Sequence, residues 1–239
     1  MKFASIYLAI AATGAAAGVA AIATTPATAQ SSTQSTDWTQ RVTMSDKGGH
    51  IMGNPLAKHR LTEYMSYTCS HCAKFEMEAN APLKSGFVKN GHVSFEVRNL
   101  VLNSIDLTAA IVARCGGRTK FFGNHRALLS SQASWMKTLQ TSSPEVMKGF
   151  DEGTVPERIK KIAKAAGFYG VMQKRGFSAG QVDTCLADQK AQDTVLAMTK
   201  YAAETLKLTG TPSFTINNKT VDRVHSWDNL RPILTALPK

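Results

Sequence analysis

Cys69 and Cys72 stand three residues apart in Thr68-Cys69-Ser70-His71-Cys72-Ala73, a spacing that suits two chemistries. One is reversible disulfide exchange, and the other is half of a tetrahedral zinc site. Zinc needs four ligands, and the other two cysteines, Cys115 and Cys185, lie 70 residues apart with no second C-x-x-C. The surroundings of the pair point to redox chemistry. An alternating apolar run precedes it and an amphipathic run follows, which puts both thiols in the first turn of a helix entered from a strand. Free backbone N–H groups and the positive end of the macrodipole favour a thiolate there. Cys69, at or just before the first turn, is the expected nucleophile. A lowered pKa makes it both reactive and a good leaving group.

The elements needed to hold such a pair can be read around it. In His59 to Tyr67 the apolar residues recur on period two, as a strand requires. Glu63 interrupts that strand, and with Leu61 and Met65 on its face it is expected to be partly buried beneath the dithiol. The alternative is a solvated acid at an edge. The helix after Cys69 carries Phe75, Met77 and Ala79 and is expected to break or bend at Pro82. Lys89-Asn90-Gly91 ends it, and His92 to Leu102 reads as a strand with Val93, Phe95 and Val97 on one face. A short strand is also expected over Trp38 to Thr43.

From Ser104 to Leu208 the period is helical. Leu107, Ile111 and Cys115 share a face, as do Val182, Cys185 and Leu186 on a helix starting near Ser178. Thr154-Val155-Pro156-Glu157 carries a capping-box pattern with proline in the first turn. That helix turns Ile159, Ile162, Ala163 and Ala166 inward and Lys160, Lys161 and Lys164 outward. Trp135 and Phe121-Phe122 are expected to pack within this helical unit. After Gly210 the chain returns to strands: Thr211 to Ile216, a turn at Asn217-Asn218-Lys219, and a return over Thr220 to Val224. Ser226 caps a last helix. Asn218-Lys219-Thr220 matches a glycosylation acceptor, a short pattern that chance supplies.

Residues 1–29 contain one charge, Lys2, then an apolar Ala-rich run and Ala27-Thr28-Ala29, the pattern of a cleaved secretory signal. An uncleaved membrane anchor is the competing reading. Without Lys2 the chain has 27 basic and 17 acidic residues. No run of Lys and Arg with interleaved aromatics appears, so nucleic acid is not an expected partner, and the charge serves solubility or loose attraction to acidic surfaces. Outside the cytoplasm disulfides persist, so the four cysteines can form two pairs. Their shared inward placement predicts a structural disulfide between Cys115 and Cys185, the alternative being two buried free thiols.

Strand, helix and strand, a long helical stretch, then a hairpin and a helix outline an α/β thioredoxin fold with an inserted all-helical domain. The expected divisions are 1–29 signal, 30–44 polar leader and first strand, 45–103 first part of the core, 104–208 helical insertion and 209–239 second part of the core. Over about residues 45–239 the chain resembles the DsbA-type periplasmic thiol-disulfide oxidoreductases of the thioredoxin superfamily. Tyr67-Thr68-Cys69-Ser70-His71-Cys72 resembles that family's aromatic-x-C-x-H-C signature. Gly210-Thr211-Pro212-Ser213-Phe214 resembles its cis-proline loop, and Glu63, six residues before Cys69, matches its buried acid. The hundred or so helical residues between the core halves are the fourth likeness.

The resemblance implies that Cys69 attacks, Cys72 resolves, and His71 stabilises the Cys69 thiolate as a cation or hydrogen-bond donor. It implies that Pro212 is cis and that the Thr211 backbone pairs with an extended substrate strand. No cofactor is implied. Unfolded or reduced exported proteins and a membrane redox partner, quinone-linked for an oxidase, are the implied partners. Two positions depart from the best-known oxidase pattern: Ser70 stands in place of proline and Thr211 in place of valine, and both touch the thiols. The 15 or so polar residues before the first strand leave no room for a dimerisation domain, so a monomer is expected. Three functions stay open: a dithiol oxidase, an isomerase or reductase of the same fold, and a copper or zinc carrier using Cys69, Cys72 and His71.

Overall fold

The computed structural model describes residues 37–238. The expected signal and most of the polar leader lie outside the described residues. Trp38 to Gln40 form a single 3-10 turn rather than the start of a strand, because the Asp37 carboxylate accepts from the Thr39 amide at 3.0 Å and caps the turn. Strand β1 (Val42–Met44) follows, then β2 (His50–Met52) after a turn in which Gly48 takes a left-handed φ of 81°. Strand β3 (His59–Met65) runs into helix α1 (Ser70–Leu83), and β4 (Val93–Asn99) lies parallel to β3.

Pro82 does not break α1. It sits in the last turn, and the chain beyond it widens into π-type bonding over Lys84–Val88, where the Lys89 amide reaches the Lys84 carbonyl at 2.8 Å. Strand β4 ends at Asn99, short of Leu102, because the chain turns there to let Asn103 cap α2 (Ser104–Ala113) through the Asp106 amide.

Seven further helices separate α2 from the next strand: α3 (Arg118–Ser130), α4 (Gln132–Gln140), α5 (Pro144–Lys148), α6 (Val155–Ala165), α7 (Phe168–Lys174), α8 (Ala179–Leu186) and α9 (Gln189–Lys200). Capping boxes open α6 at Thr154 with Glu157 and α8 at Ser178 with Gln181. The chain closes with β5 (Ser213–Ile216), β6 (Lys219–Val221) and α10 (Trp227–Thr235), the last capped by Ser226. Asn217 and Asn218 both adopt left-handed φ values, 51° and 64°, so β5 and β6 join through the two-residue turn that suits strand twist.

The sheet order is β1-β2-β4-β3-β5-β6, and among the described residues β3 and β4 are the only parallel pair. This is a thioredoxin-fold sheet with a helical insertion between β4 and β5. Both faces of β3 and β4 are buried. One carries Leu61, Glu63, Met65, Phe95 and Val97. There Phe75 of α1 meets Phe214 of β5 at 4.8 Å between ring centroids and Trp227 of α10 at 6.4 Å. The opposite face carries Glu96, Arg98, Thr62 and Tyr64, which satisfy one another. Arg98 Nε and Nη2 hold both Glu96 oxygens at 2.7 and 3.0 Å, and its Nη1 donates to the Tyr64 hydroxyl at 3.0 Å. Burial of such charges is tolerated because every one is paired.

Trp135 packs on Phe168 within the helical unit, but Phe121 and Phe122 do not stay inside it. Phe121 stacks on His50 of β2 at 3.7 Å, and Phe122 approaches Phe95 of β4. They are part of the apolar contact between insertion and sheet, to which Ala202 and Tyr201 add against Tyr64 of β3. Cys115, just beyond α2, and Cys185 of α8 form a disulfide with Cα atoms 5.5 Å apart. Cys115 is buried and Cys185 half-buried.

Replacing both Cys115 and Cys185 by serine is expected to lower stability by up to about 4 kcal/mol, the loop-entropy value for a bridge spanning 70 residues. Urea denaturation of the unreduced variant and parent checks this. Mass spectrometry after thiol blocking should find both residues unlabelled in the parent.

Candidate active site

The stretch between β3 and α1 is held in a single course by its own polar groups and by two side chains from the insertion. Ser66 Oγ accepts from the Thr68 amide at 3.1 Å, and the Ser66 carbonyl accepts from the Cys69 amide at 3.3 Å. The Asp106 carboxylate on α2 accepts from the Tyr67 amide at 2.7 Å and from the Leu102 amide at 2.9 Å. Gln132 at the start of α4 donates to the carbonyls of Tyr67 and Cys69. The chain thus arrives at Cys69 extended, with φ −86° and ψ 119°, as the N-cap of α1.

At that position the first free amides of α1 face the thiol. Cys69 is half-buried, and its pKa falls from 9.0 to about 5. The largest cause is a hydrogen bond from the Cys72 thiol. The Thr211 hydroxyl and the amides of Cys72 and His71 add to it, against the opposing effect of partial burial. The Thr211 carbonyl, 3.2 Å from Cys69 Sγ, accepts from the protonated thiol and so works the other way. Four donors against one acceptor leave the thiolate favoured. Cys72 is buried and is pushed well above a normal thiol, by burial first and then by Cys69 and Glu63.

Glu63 is buried, not merely partly so, and its carboxyl is pushed well up, chiefly by burial and then by Glu76 and Cys69. A neutral carboxylic acid under a dithiol holds a proton that it can lend. Pro212 follows a cis peptide from Thr211. Its carbonyl bonds His225 Nδ1 at 2.8 Å, and Ser213 Oγ donates to Gly210 at 2.7 Å, which fixes the loop beside the dithiol. His71 is exposed, and it is its backbone amide that reaches Cys69.

Four buried polar residues around the site went unread in the sequence. Asp106 is pushed up to about 6, mainly by burial. The Tyr67 hydroxyl bonds His125 Nδ1 at 2.9 Å, and His125 Nε2 lies 3.6 Å from Glu76 of α1. Gln132 shares the buried stripe of α4 with Trp135 and Leu139. That amide at helical spacing among apolar residues was its one visible signal. Among the described residues no group of three or more His, Cys, Asp and Glu is placed to hold a metal ion. Nor is any described helix long and apolar enough to cross a membrane.

A strand leading to a C-x-x-C helix, a cis-proline loop against it and a buried acid beneath are thioredoxin features, and residues 45–236 match the family model described as Thioredoxin. The chain belongs to the thioredoxin family. Its fold, helical insertion included, is shared with the solved structures of Wolbachia pipientis alpha-DsbA1 and Chlamydia trachomatis DsbA, at 18% and 17% identity. The crystal structure of a protein-disulfide isomerase from Novosphingobium aromaticivorans is 38% identical with a TM-score of 0.75, covering 79% of this chain and 96% of that one. Wolbachia pipientis alpha-DsbA1, 18% identical with a TM-score of 0.64, covers 81% of this chain and 92% of its own and shares the fold. A Rickettsia typhi protein named as a protein-disulfide oxidoreductase is 27% identical over 199 residues. The match covers 82% of this chain but 65% of that relative, so the chain spans less than two thirds of its length.

Alkylation of the reduced protein should be half-maximal near pH 5 for Cys69, against roughly 8.5 for a free thiol, with Cys72 unreactive. The folded pKa of Cys69 is depressed, so its stabilisation of the reduced form is present above the unfolded value near 9 and is lost as pH falls through about 5. Cys72, shifted upward, acts in the opposite sense only toward pH 9 and above, which sets the useful window at about pH 4 to 8. Denaturation midpoints of the reduced protein should fall toward the acid end of that window faster than those of a Cys69→Ser variant.

Proposed function

We propose that this protein is a thiol-disulfide oxidoreductase that oxidises dithiols of exported proteins, acting as a monomer. The observation that carries the reading is the Cys69 thiolate held at the start of α1 by the Cys72 thiol, the Thr211 hydroxyl and two backbone amides. Only the reduced form contains that thiolate, so whatever stabilises it favours taking electrons from a substrate. The leader pattern of residues 1–29 supports export to the periplasm, where a quinone-linked membrane partner would reoxidise the pair.

In the oxidised form a substrate thiolate attacks Cys69 Sγ. The Cys69–Cys72 bond breaks, and its electron pair leaves on Cys72, which takes a proton from Glu63. A second substrate thiolate then attacks the substrate sulfur of the mixed disulfide, and Cys69 departs as thiolate. The substrate gains a disulfide, and the protein carries two electrons to its oxidant. Cys69 leaves readily because it needs no proton, while Cys72 does need one, which is the role assigned to Glu63. The Thr211 backbone beside Cys69 offers main-chain hydrogen bonds to an extended peptide, a mode that tolerates many sequences.

The 38% identity to a structure described as a protein-disulfide isomerase favours a second reading, in which the same dithiol is kept reduced and reshuffles bonds. Stoichiometric addition of the oxidised protein to a reduced, unfolded two-cysteine protein separates them. Fast oxidation, with a higher denaturation midpoint for the reduced form than for the oxidised form, is expected. A more stable oxidised form, with activity only on scrambled disulfides, would establish the second reading instead.

Glu63→Gln keeps the shape and removes the transferable proton. Stability should change little, since the native acid is already neutral, while oxidation of substrate slows on the order of 10²-fold. Stopped-flow kinetics against pH checks this.

A further inference from the structure

Gln132 reaches from the helical insertion into the loop that carries the reactive thiol. It is buried in the first turn of α4, and its Nε2 spends both of its hydrogens there, on the Tyr67 carbonyl at 2.7 Å and the Cys69 carbonyl at 2.9 Å. The Cys69 carbonyl is also the first acceptor of α1, taking the Ala73 amide at 3.2 Å. One side-chain amide therefore fixes the peptide planes 67–68 and 69–70, with Thr68 between them.

The second plane decides where the Cys69 side chain points. Its carbonyl oxygen is pinned by Gln132 and Ala73, which leaves the ψ of 119° that turns Cys69 out of the helix and over its end. The amides of His71 and Cys72 stand at that end and meet Sγ. Upstream, the Tyr67 amide is held by Asp106 of α2, so the donor and the acceptor of Tyr67 are both claimed by the insertion. Gln132 is uncharged, so it acts by placement and by the dipole of its amide.

We propose that Gln132 is a positioning residue for the reactive thiol, aiming Cys69 Sγ at the N–H groups that open α1 and thereby tying dithiol chemistry to the helical insertion. This rests on Cys69 being the activated thiol of the function proposed above. A merely structural tether would stabilise both redox forms alike and leave the acidity of Cys69 untouched. A positioning residue must change that acidity.

The test is Gln132→Met, which keeps the volume and removes both donors, beside Gln132→Glu, whose carboxylate faces two carbonyls. Alkylation of Cys69 against pH is read in each, with the unaltered protein as reference. The expected result is a half-maximal pH raised by about one unit or more in both variants, a tenfold loss of thiolate below it. The denaturation midpoint should drop further in the reduced form than in the oxidised form. A variant that folds with an unchanged Cys69 midpoint and equal losses in both forms would overturn the proposal. Should neither variant fold, NMR of the unaltered protein decides: side-chain amide signals of Gln132 that titrate with Cys69 support it, and signals that stay still overturn it. A free-thiol midpoint in the unaltered protein overturns the activation of Cys69 itself, and this proposal with it.

Discussion

Everything in this molecule that bears on its chemistry depends on the unfinished hydrogen bonding at the first turn of α1. A helix begins with amides that have no partner within it, and here a sulfur takes the place of the usual oxygen cap. Cys69 makes no capping bond of the Ser or Asp kind, so the amides of His71 and Cys72 are free to serve a thiolate. A buried thiol and a hydroxyl complete the ring of donors. The sheet, the loop before β5 and the insertion all act to keep that one helix end fixed, dry on one side and open on the other.

The same arrangement separates two chemically identical groups. Cys69 and Cys72 lie three residues apart, yet one is driven toward the anion and the other away from it, because the first sits outside the helix end and the second inside the core. Glu63 belongs to the inner environment, and burial pushes its carboxyl up as it pushes up the Cys72 thiol. Burial, which disfavours charge, and the helix end, which favours it, divide the roles between the thiols over one turn of helix.

Much of this could be read from residue order, where the signal was local. Alternation in β3, the capping box at Thr154, the helix start near Ser178, the Asn217-Asn218 turn and the C-x-x-C at a strand-to-helix junction are each set by neighbours in sequence, and the fold shows them all. Failures came where distant partners decide. Glu96 and Arg98 alternate with the apolar residues of their strand, and nothing in that spacing tells that they pair with each other and with Tyr64 under cover. Pro82 reads as a break or bend, and the α-helical bonding does give way just after it, to π-type turns that carry the helix on. Phe121 reads as core of the helical unit, and it is His50, far away in sequence, that it stacks on. Asp106 and Gln132 hold backbone groups some 39 and 65 residues distant, a task that leaves almost no trace in their own surroundings.

The join between Cys69 and the Thr211 loop spans 142 residues, and β3 receives β5 across a similar interval. A chain synthesised from its N-terminus therefore presents the dithiol long before the strand that completes the site. Until that strand pairs with β3, the Thr211 loop is missing from beside Cys69. Cys115 then emerges ahead of its partner, which follows 70 residues later. The structural bond and the surroundings of the reactive pair are both completed by residues of the last third, Cys185 and Thr211. The site is therefore complete only once β5 has paired with β3, so the chemistry of two neighbouring cysteines depends on contacts that are distant in sequence.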